Sequence, residues 1–300
     1  MPRTLRHRSE EIRYLPSTNI QFMGDSATSA VRVALIEAFL EKPHEVSNYS
    51  LPGTSPLFSY FNLKRQLEAG KVPKVIIFAP HPFTWGDPFI DRLIGRFATP
   101  AESASLLRDG VDFDDWLYGT LCRMSYTLRY REELYGAITK GDDAFFRSWA
   151  APISSVQNTR AKIAEYESPP AEPQTIILDP NNIPPLCSRP ISIHPYNELY
   201  FDKFLTLAGQ HGIRVVWLTL PIPEMVKKRT PGPERTAAYD QFVQRMSDRH
   251  PNLFPIHSAI VTQPDTHYKD FWHQNAYGAW LFSKRTGEQL AAWLKEHPIE

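Results

Sequence analysis

The chain has 300 residues, of which 42% are hydrophobic and 22% charged, and these values are typical of a globular protein with a sizeable core. Lysine plus arginine equals aspartate plus glutamate, at 33 residues each, so the composition lacks the basic excess that favours nucleic-acid binding. The 27 prolines, roughly double average usage, predict many loops and short connections.

No stretch reaches the apolar length of a membrane helix, and the N-terminus lacks the apolar segment of a signal peptide. We therefore expect a cytoplasmic protein, or a periplasmic or cell-envelope protein if the chain is a trimmed form. Residues 1–18 are polar and basic, and they predict a surface arm. Cys122 and Cys187 lie far apart without metal-ligand spacing, which leaves two buried free thiols or one disulfide as the alternatives.

The first predicted elements are a strand over residues 20–23, a Gly-Asp-Ser turn over residues 24–26, and a helix over residues 29–40. This geometry places Ser26 at the carboxyl edge of a sheet, where the active and binding sites of α/β folds lie. A helix N-terminus there favours a developing oxyanion. Ser26 is therefore a candidate nucleophile. The alternative is that Asp25 and Ser26 are ordinary N-cap residues.

Two further strands are predicted over residues 45–49 and 74–79, with a helix over residues 56–69 between them. Strands that alternate with helices at these spacings predict a parallel, doubly wound sheet. The loop after the third strand carries His81, Thr84 and Trp85. These residues are candidates for a substrate wall or an oxyanion donor; the alternative is a proline-braced loop that packs Trp85.

Residues 89–173 interrupt the α/β rhythm and are expected to form a mainly helical insertion, with helices over residues 101–107 and 114–140 and a linker over residues 167–173. The second helix has an aromatic stripe. Its members belong either to the core or to a cap over a groove, where aromatic rings stack on sugars: Trp116, Tyr118, Tyr126, Tyr130 and Tyr135.

After the insertion, a short strand is predicted over residues 175–178, and two strands of the main sheet over residues 213–220 and 252–257. Helices are predicted over residues 196–210, 234–248 and 276–296. The expected fold is a three-layer, flavodoxin-like α/β sandwich with a five-stranded parallel sheet in the order 2-1-3-4-5. Residues 19–300 would then form a single domain that contains the insertion.

An Asp-x-x-His loop precedes the last helix and places Asp270 three residues before His273. A serine nucleophile needs a base to take its proton, and the base needs a third group to fix its tautomer. This loop supplies both, so Asp270 and His273 are candidate partners of Ser26. His257 competes as a structural histidine on a strand. His267 is either a solvated loop residue or a metal ligand with Asp265 and Asp270, although no second ligand cluster exists and no metal or cofactor is expected.

These motifs resemble the SGNH (GDSL-like) hydrolases, over most of residues 17–62, 72–88 and 194–296. Within that superfamily the chain is similar to the cell-envelope branch of alginate and cellulose O-acetyltransferase-like domains and teichoic-acid D-alanine transfer proteins. The resemblance implies Ser26 as nucleophile, Asp270 as orienting acid, His273 as base, and the backbone N–H groups of Ser26 and Gly53 as oxyanion donors. The family often carries an asparagine after its third strand, but residues 79–87 contain none.

Two classes of function follow from these observations. The first is a serine-dependent esterase or O-acyltransferase, for which the resemblance implies acylated carbohydrate or cell-envelope polysaccharide as substrate and membrane-associated polysaccharide-modification partners. The second is a binding or accessory module with a weak or inactive site. Neither class involves nucleic acid, and the sequence leaves the oligomeric state open.

Overall fold

The computed structural model describes residues 18–40, 45–51, 53–131, 134–135, 169–229, 234–257 and 259–299. Its centre is a sheet of five parallel strands in the order β2-β1-β3-β4-β6. The strands are β1 (Ile20–Met23), β2 (Val46–Asn48), β3 (Val75–Phe78), β4 (Arg214–Leu218) and β6 (Leu253–His257). The predicted fold class is confirmed. The predicted strand order is confirmed as well, because β6 is the fifth strand of this sheet along the chain. Two further short strands, β5 (Ile222–Pro223) and β7 (Thr262–Gln263), form a separate parallel pair that the sequence analysis did not predict.

Ten α-helical segments accompany the sheet in the described part of the chain. They are α1 (Val33–Glu37), α2 (Pro56–Glu68), α3 (Ile90–Arg92), α4 (Pro100–Arg108), α5 (Phe113–Met124), α6 (Tyr126–Arg129), α7 (Pro195–Gln210), α8 (Glu224–Arg229), α9 (Glu234–Arg249) and α10 (Ala276–Glu296). A π-helical turn, Leu93–Phe97, continues α3. Short 3₁₀ turns occur at Thr28–Ala30, Pro82–Gly86, Pro180–Asn182, Pro185–Ser188 and Asp265–His267.

The sheet is buried on both faces, as expected for parallel strands covered by helices. Alternate residues of each strand enter different cores, because successive side chains point to opposite faces. Ile20 and Phe22 pack on the side of α1 and α10. Met23, Ile76 and Phe78 pack on the side of α2, α7 and α9. The result is three layers with the carboxyl ends of the strands at one edge.

The helix predicted over residues 29–40 is wrong in its first part. The structure has a 3₁₀ turn at Thr28–Ala30, an extended Val31, and only then the five-residue α1. Side-chain bonds to two neighbouring elements explain the interruption. Thr28 Oγ1 donates to the carbonyl of Ala79 after β3, and the N–H of Arg32 donates to Ser283 Oγ in α10 at 2.9 Å. Tertiary contacts therefore override the local helical pattern here.

The helix predicted over residues 114–140 is also interrupted. Ser125 is extended, with φ −108° and ψ 119°, and it separates α5 from α6. The Ser125 hydroxyl accepts from the N–H of Leu128 at 3.3 Å, so a local side-chain bond competes with helix continuation. The end of this prediction lies outside the described residues, as do residues 136–168 of the predicted insertion and residues 1–17 of the predicted arm.

The described helices of the insertion pack against α2 and α7. Ile90, Leu93, Ile94 and Phe97 share a core cluster with Phe58 of α2. The residues of the aromatic stripe differ in burial: Trp116 is half-buried and Tyr130 is buried, whereas Tyr118 and Tyr135 are exposed. The side chain of Tyr126 is outside the described set.

The short strand predicted over residues 175–178 is wrong. These residues are irregular, and the reason is their poor burial: Ile176 and Ile177 are 52% and 67% exposed and only Leu178 is buried. Cys122 and Cys187 are both buried and form no disulfide with each other, which is the first of the two alternatives. Among the helices of the described ranges, none combines the length and apolar character needed to cross a membrane.

Candidate active site

Ser26 lies in the tight turn that follows β1, where the buried carboxylate of Asp25 braces the backbone. Asp25 Oδ1 accepts from the N–H of Ala27 at 2.9 Å, and Oδ2 accepts from the N–H of His81 at 2.7 Å. The N–H of Ser29 donates to the Asp25 carbonyl at 3.2 Å. One carboxylate thus joins the serine turn to the loop after β3, and it fixes Ser26 at the carboxyl edge of the sheet.

The loop that carries Asp270 and His273 is closed by its own hydrogen bonds. Tyr268 and Gln274 form an antiparallel bridge, and the N–H of Lys269 donates to the carbonyl of His273 at 3.0 Å. Asn275 then begins α10 as its N-cap, since its Oδ1 accepts from the N–H groups of Tyr277 and Gly278.

The approach of α10 to this loop requires glycine at position 278. A Cβ atom there would lie 2.3 Å from the carbonyl oxygen of His267, far below a normal contact distance. The absence of a side chain therefore lets the helix begin directly beneath the loop.

Ser26, His273 and Asp270 form a continuous hydrogen-bonded chain. Ser26 Oγ lies 2.8 Å from His273 Nε2, and His273 Nδ1 lies 2.8 Å from Asp270 Oδ2. Asp270 Oδ1 also accepts from the backbone N–H groups of Trp272 and His273, both at 2.8 Å. The two backbone donors fix the carboxylate, so the imidazole presents Nε2 to the serine hydroxyl.

The two carboxyl groups at the site have opposite pKa shifts. Burial favours the protonated form of Asp270, but the hydrogen bonds from the His273 ring and the Trp272 backbone outweigh this effect and lower its pKa. Asp270 is therefore ionised at neutral pH and can orient a histidine that gains a proton. Burial dominates at Asp25 and raises its pKa, although the N–H groups of His81 and Ala27 oppose the shift.

The predicted oxyanion donors are two backbone N–H groups, those of Ser26 and Gly53. Within the described part of the chain, neither the Ser26 nor the Gly53 N–H donates a hydrogen bond. The N–H of Leu51 donates to the carbonyl of Gly24 at 3.0 Å, which holds the turn containing Gly53 against the serine turn. Gly53 has φ +72°, a left-handed conformation that glycine adopts without strain. The role of these two N–H groups as oxyanion donors stays a prediction.

The electrostatic argument from a helix N-terminus is weaker than the sequence suggested. A three-residue 3₁₀ turn follows Ser26 in place of a long helix, and the N–H of Ala27 is occupied by Asp25. The local N–H groups, more than a macrodipole, are thus the source of positive potential at Ser26.

The three candidates in the loop after β3 have different environments. Trp85 is fully buried and packs against Phe242 and Trp217 at ring distances of 4.6 and 5.4 Å. Its assignment to substrate binding is therefore corrected to core packing, because its ring is enclosed by aromatic side chains of β4 and α9. Thr84 is partly buried, and its hydroxyl donates to the carbonyl of His81 at 2.7 Å. His81 is buried beside the triad loop, with its ring centroid 5.1 Å from that of Trp272.

Of the two competing histidines, the structure describes the side chain of His267 alone. His267 is buried, and its Nε2 lies 3.5 Å from Glu172 Oε1, so the solvated-loop alternative is wrong. His257 lies on β6, and its side chain is outside the described set. Across the described ranges, no group of three or more His, Cys, Asp and Glu side chains has a metal-binding arrangement.

Sequence reasoning missed the bracing role of Asp25 and the contact between His81 and Trp272. The first was signalled in part by the Gly-Asp-Ser turn, in which an aspartate commonly accepts from a backbone N–H two residues on. The second had no local signal, since it joins loops that are distant in sequence.

No protein-family model matches the chain, and no curated protein is significantly similar to it. The site is therefore interpreted from its own geometry and from the resemblance of its motifs.

Proposed function

We propose that this protein is a serine-dependent acyl-ester hydrolase or O-acyltransferase with Ser26, His273 and Asp270 as its catalytic residues. The observation that carries the proposal is the hydrogen-bonded chain from Ser26 Oγ through both ring nitrogens of His273 to Asp270. This order of hydroxyl, imidazole and carboxylate activates a serine as a nucleophile.

The proposed reaction has two halves. Ser26 Oγ attacks the ester carbonyl carbon while its proton passes to His273 Nε2, and the carbonyl π pair moves onto the oxygen. That pair re-forms the C=O bond as the bond to the leaving alcohol breaks, and His273 returns the proton to the alcohol. Water or an acceptor hydroxyl then attacks the acyl-serine by the same steps, and Ser26 is regenerated.

The proposed oxyanion donors are the N–H groups of Ser26 and Gly53. Neither N–H donates a hydrogen bond within the described part of the chain, so both can donate to a new oxygen. Donors that are already oriented in this way stabilise charge at the moment it develops.

The proposed substrate is an O-acylated carbohydrate, and this assignment rests on the resemblance to envelope O-acetyltransferase-like domains. The triad itself does not select the acceptor, because the surrounding groove decides whether water or a sugar hydroxyl attacks the acyl-enzyme. Hydrolysis and transfer are therefore two outcomes of one mechanism.

The deciding experiment is labelling with a fluorophosphonate probe, followed by intact-mass detection of an acetyl adduct after exposure to p-nitrophenyl acetate. We expect the wild type to be labelled and acetylated on Ser26, and Ser26→Ala to show neither product while remaining folded. Labelling that persists in Ser26→Ala would overturn the assignment of the nucleophile.

Decay of the acetyl adduct separates the two activities. Faster decay with oligosaccharide acceptors than with water alone indicates a transferase, whereas rapid decay in water without an acceptor effect indicates an esterase.

A second candidate is an accessory binding module, which the lack of an asparagine in residues 79–87 favours. One missing oxyanion donor costs on the order of 10²–10³ in rate, enough to leave a weak site. Absence of both labelling and an adduct in the wild type would support this candidate over the enzyme.

A further inference from the structure

His81 occupies a fixed position between the serine turn and the triad loop. Its N–H donates to Asp25 Oδ2 at 2.7 Å, so its backbone is tied to the residue that precedes Ser26. Its ring lies against Trp272, the residue before His273, at a centroid distance of 5.1 Å. The residue is only 1% exposed. His81 thus contacts the serine turn through its backbone and the triad loop through its imidazole.

The ring of His81 is neutral, and one of its nitrogens carries a hydrogen that is available for donation. Burial lowers the pKa of His81 to about 3, and the nearby His273 contributes in the same direction. Nδ1 lies 3.4 Å from the N–H of Phe83, which donates to it. A neutral imidazole that accepts at Nδ1 carries its proton at Nε2.

The Nε2–H of His81 has no acceptor among the described residues, and it is shielded from solvent. A buried donor without a partner costs free energy, so such groups call for an explanation in a native structure. Acyl transfer at Ser26 creates a strong acceptor close to this loop, because the carbonyl oxygen gains a full negative charge in the tetrahedral intermediate.

We propose that His81 donates its Nε2–H to the substrate oxyanion and so supplies a third donor beside the N–H groups of Ser26 and Gly53. This inference rests on the proposed function. The donor keeps its proton throughout: the carbonyl π pair moves onto the oxygen, the oxygen accepts from Nε2–H, and the pair returns when the C=O bond re-forms.

A partly buried ring packs on the imidazole of His81. Trp272 is the half-buried neighbour of His81, and the proposal requires its ring to shift when the acyl oxygen enters. The desolvated setting favours catalysis, since a hydrogen bond to an oxyanion is stronger where water is excluded.

The test compares His81→Phe with His81→Asn in the full-length protein. Phenylalanine keeps a ring but removes the donor, whereas asparagine restores a shorter N–H donor. We expect His81→Phe to lower both the fluorophosphonate labelling rate and kcat/KM for p-nitrophenyl acetate by about 10²–10³-fold, with the loss in kcat. His81→Asn should recover part of that loss.

The matched control is His250→Phe, which replaces another buried histidine that pairs with Asp202 away from the triad. We expect this change to lower thermal stability without changing the labelling rate. It separates a general effect of losing a buried imidazole from an effect on the reacting oxygen.

A second measurement uses the wild type and does not depend on the folding of any variant. In ¹⁵N-histidine-labelled protein, the His81 Nε2–H proton resonance should move downfield when the phosphonate adduct forms on Ser26. An unchanged resonance, or a His81→Phe variant that is folded and labelled as fast as wild type, would overturn this inference alone. A wild type that is not labelled would overturn the proposed function as well.

Discussion

At the scale of single residues, the site depends on the carboxylate of Asp270, which backbone hydrogen bonds orient toward His273. Asp270 receives two backbone hydrogen bonds in addition to the one from His273. These bonds keep its pKa low against the effect of burial. An ionised, oriented Asp270 fixes the proton of neutral His273 on Nδ1 and leaves Nε2 free to receive the proton of Ser26.

Asp270→Asn should therefore retain the fold but lower kcat by roughly 10⁴-fold, the loss seen when this replacement forces the wrong histidine tautomer in serine proteases. His273→Ala should be at least as damaging. The measurement is kcat for p-nitrophenyl acetate, with circular dichroism to check folding. The control is His267→Ala, because that histidine lies in the same loop; a severe loss there with an active His273→Ala would contradict the triad.

At the scale of elements, the insertion is fastened to the main fold by a buried ion pair. Arg65 of α2 and Glu102 of α4 approach to 2.5 Å, with side-chain exposures of 2% and 10%. Glu102 also accepts from the N–H of Thr99 at 2.6 Å in a capping box, and Arg65 donates to the carbonyl of Phe97 at 3.0 Å. One cluster thus orders the start of α4 and ties it to α2.

Removing one partner leaves a buried charge unpaired, so Glu102→Ala should lower the free energy of unfolding by about 3–5 kcal/mol at neutral pH. The measurement is urea unfolding, and the control is Glu224→Ala, which breaks the exposed pair with Lys228 and should cost at most about 1 kcal/mol. Equal losses in the two variants would contradict a special role for the buried pair.

The same pair predicts a dependence on pH. Burial opposes ionisation of Glu102, but the hydrogen bonds and charge of Arg65 prevail and lower its pKa. Stability from a lowered carboxyl pKa is fully present above the ordinary glutamate pKa, and it is lost as the pH falls through the pKa of the folded state. The difference between wild type and Glu102→Ala should therefore shrink in acid; a difference that grows in acid would contradict this sign.

At the scale of the whole molecule, one aromatic core supports the edge of the sheet that carries the site. Trp85 packs with Phe78 of β3, Trp217 of β4 and Phe242 of α9. Its carbonyl accepts from the N–H of His194 at 2.9 Å and from Asn197 Nδ2 at 2.8 Å. These two hydrogen bonds attach the loop after β3 to the start of α7.

Trp85→Ala should destabilise the protein by about 3–5 kcal/mol, because it leaves a large cavity in a close-packed core. The milder Trp85→Phe should lower Tm but leave KM for p-nitrophenyl acetate unchanged. Thermal unfolding and steady-state kinetics on the same preparations test both expectations. A raised KM with an unchanged Tm in Trp85→Phe would instead indicate that Trp85 contacts the substrate.

Much of the fold was predictable because its signals are local. Apolar strand runs such as residues 74–79, and a proline at the first position of α2, follow from short-range rules that the tertiary structure did not oppose. The candidate triad was predictable for a similar reason. Each half is a compact motif, and parallel strands bring their carboxyl ends to one edge.

The sequence by itself determined the fold class, the order of the strands and the identity of the residues that meet at Ser26. Only the tertiary structure decided the break after Ala30, the burial of Trp85 and, among the described residues, the lack of an acceptor for His81 Nε2. Each of these features depends on contacts between segments far apart in the chain. Such contacts override local helix and strand propensity, and they produce no periodic pattern in the sequence. The reason is that the energy of a buried side chain depends on neighbours that come together only on folding.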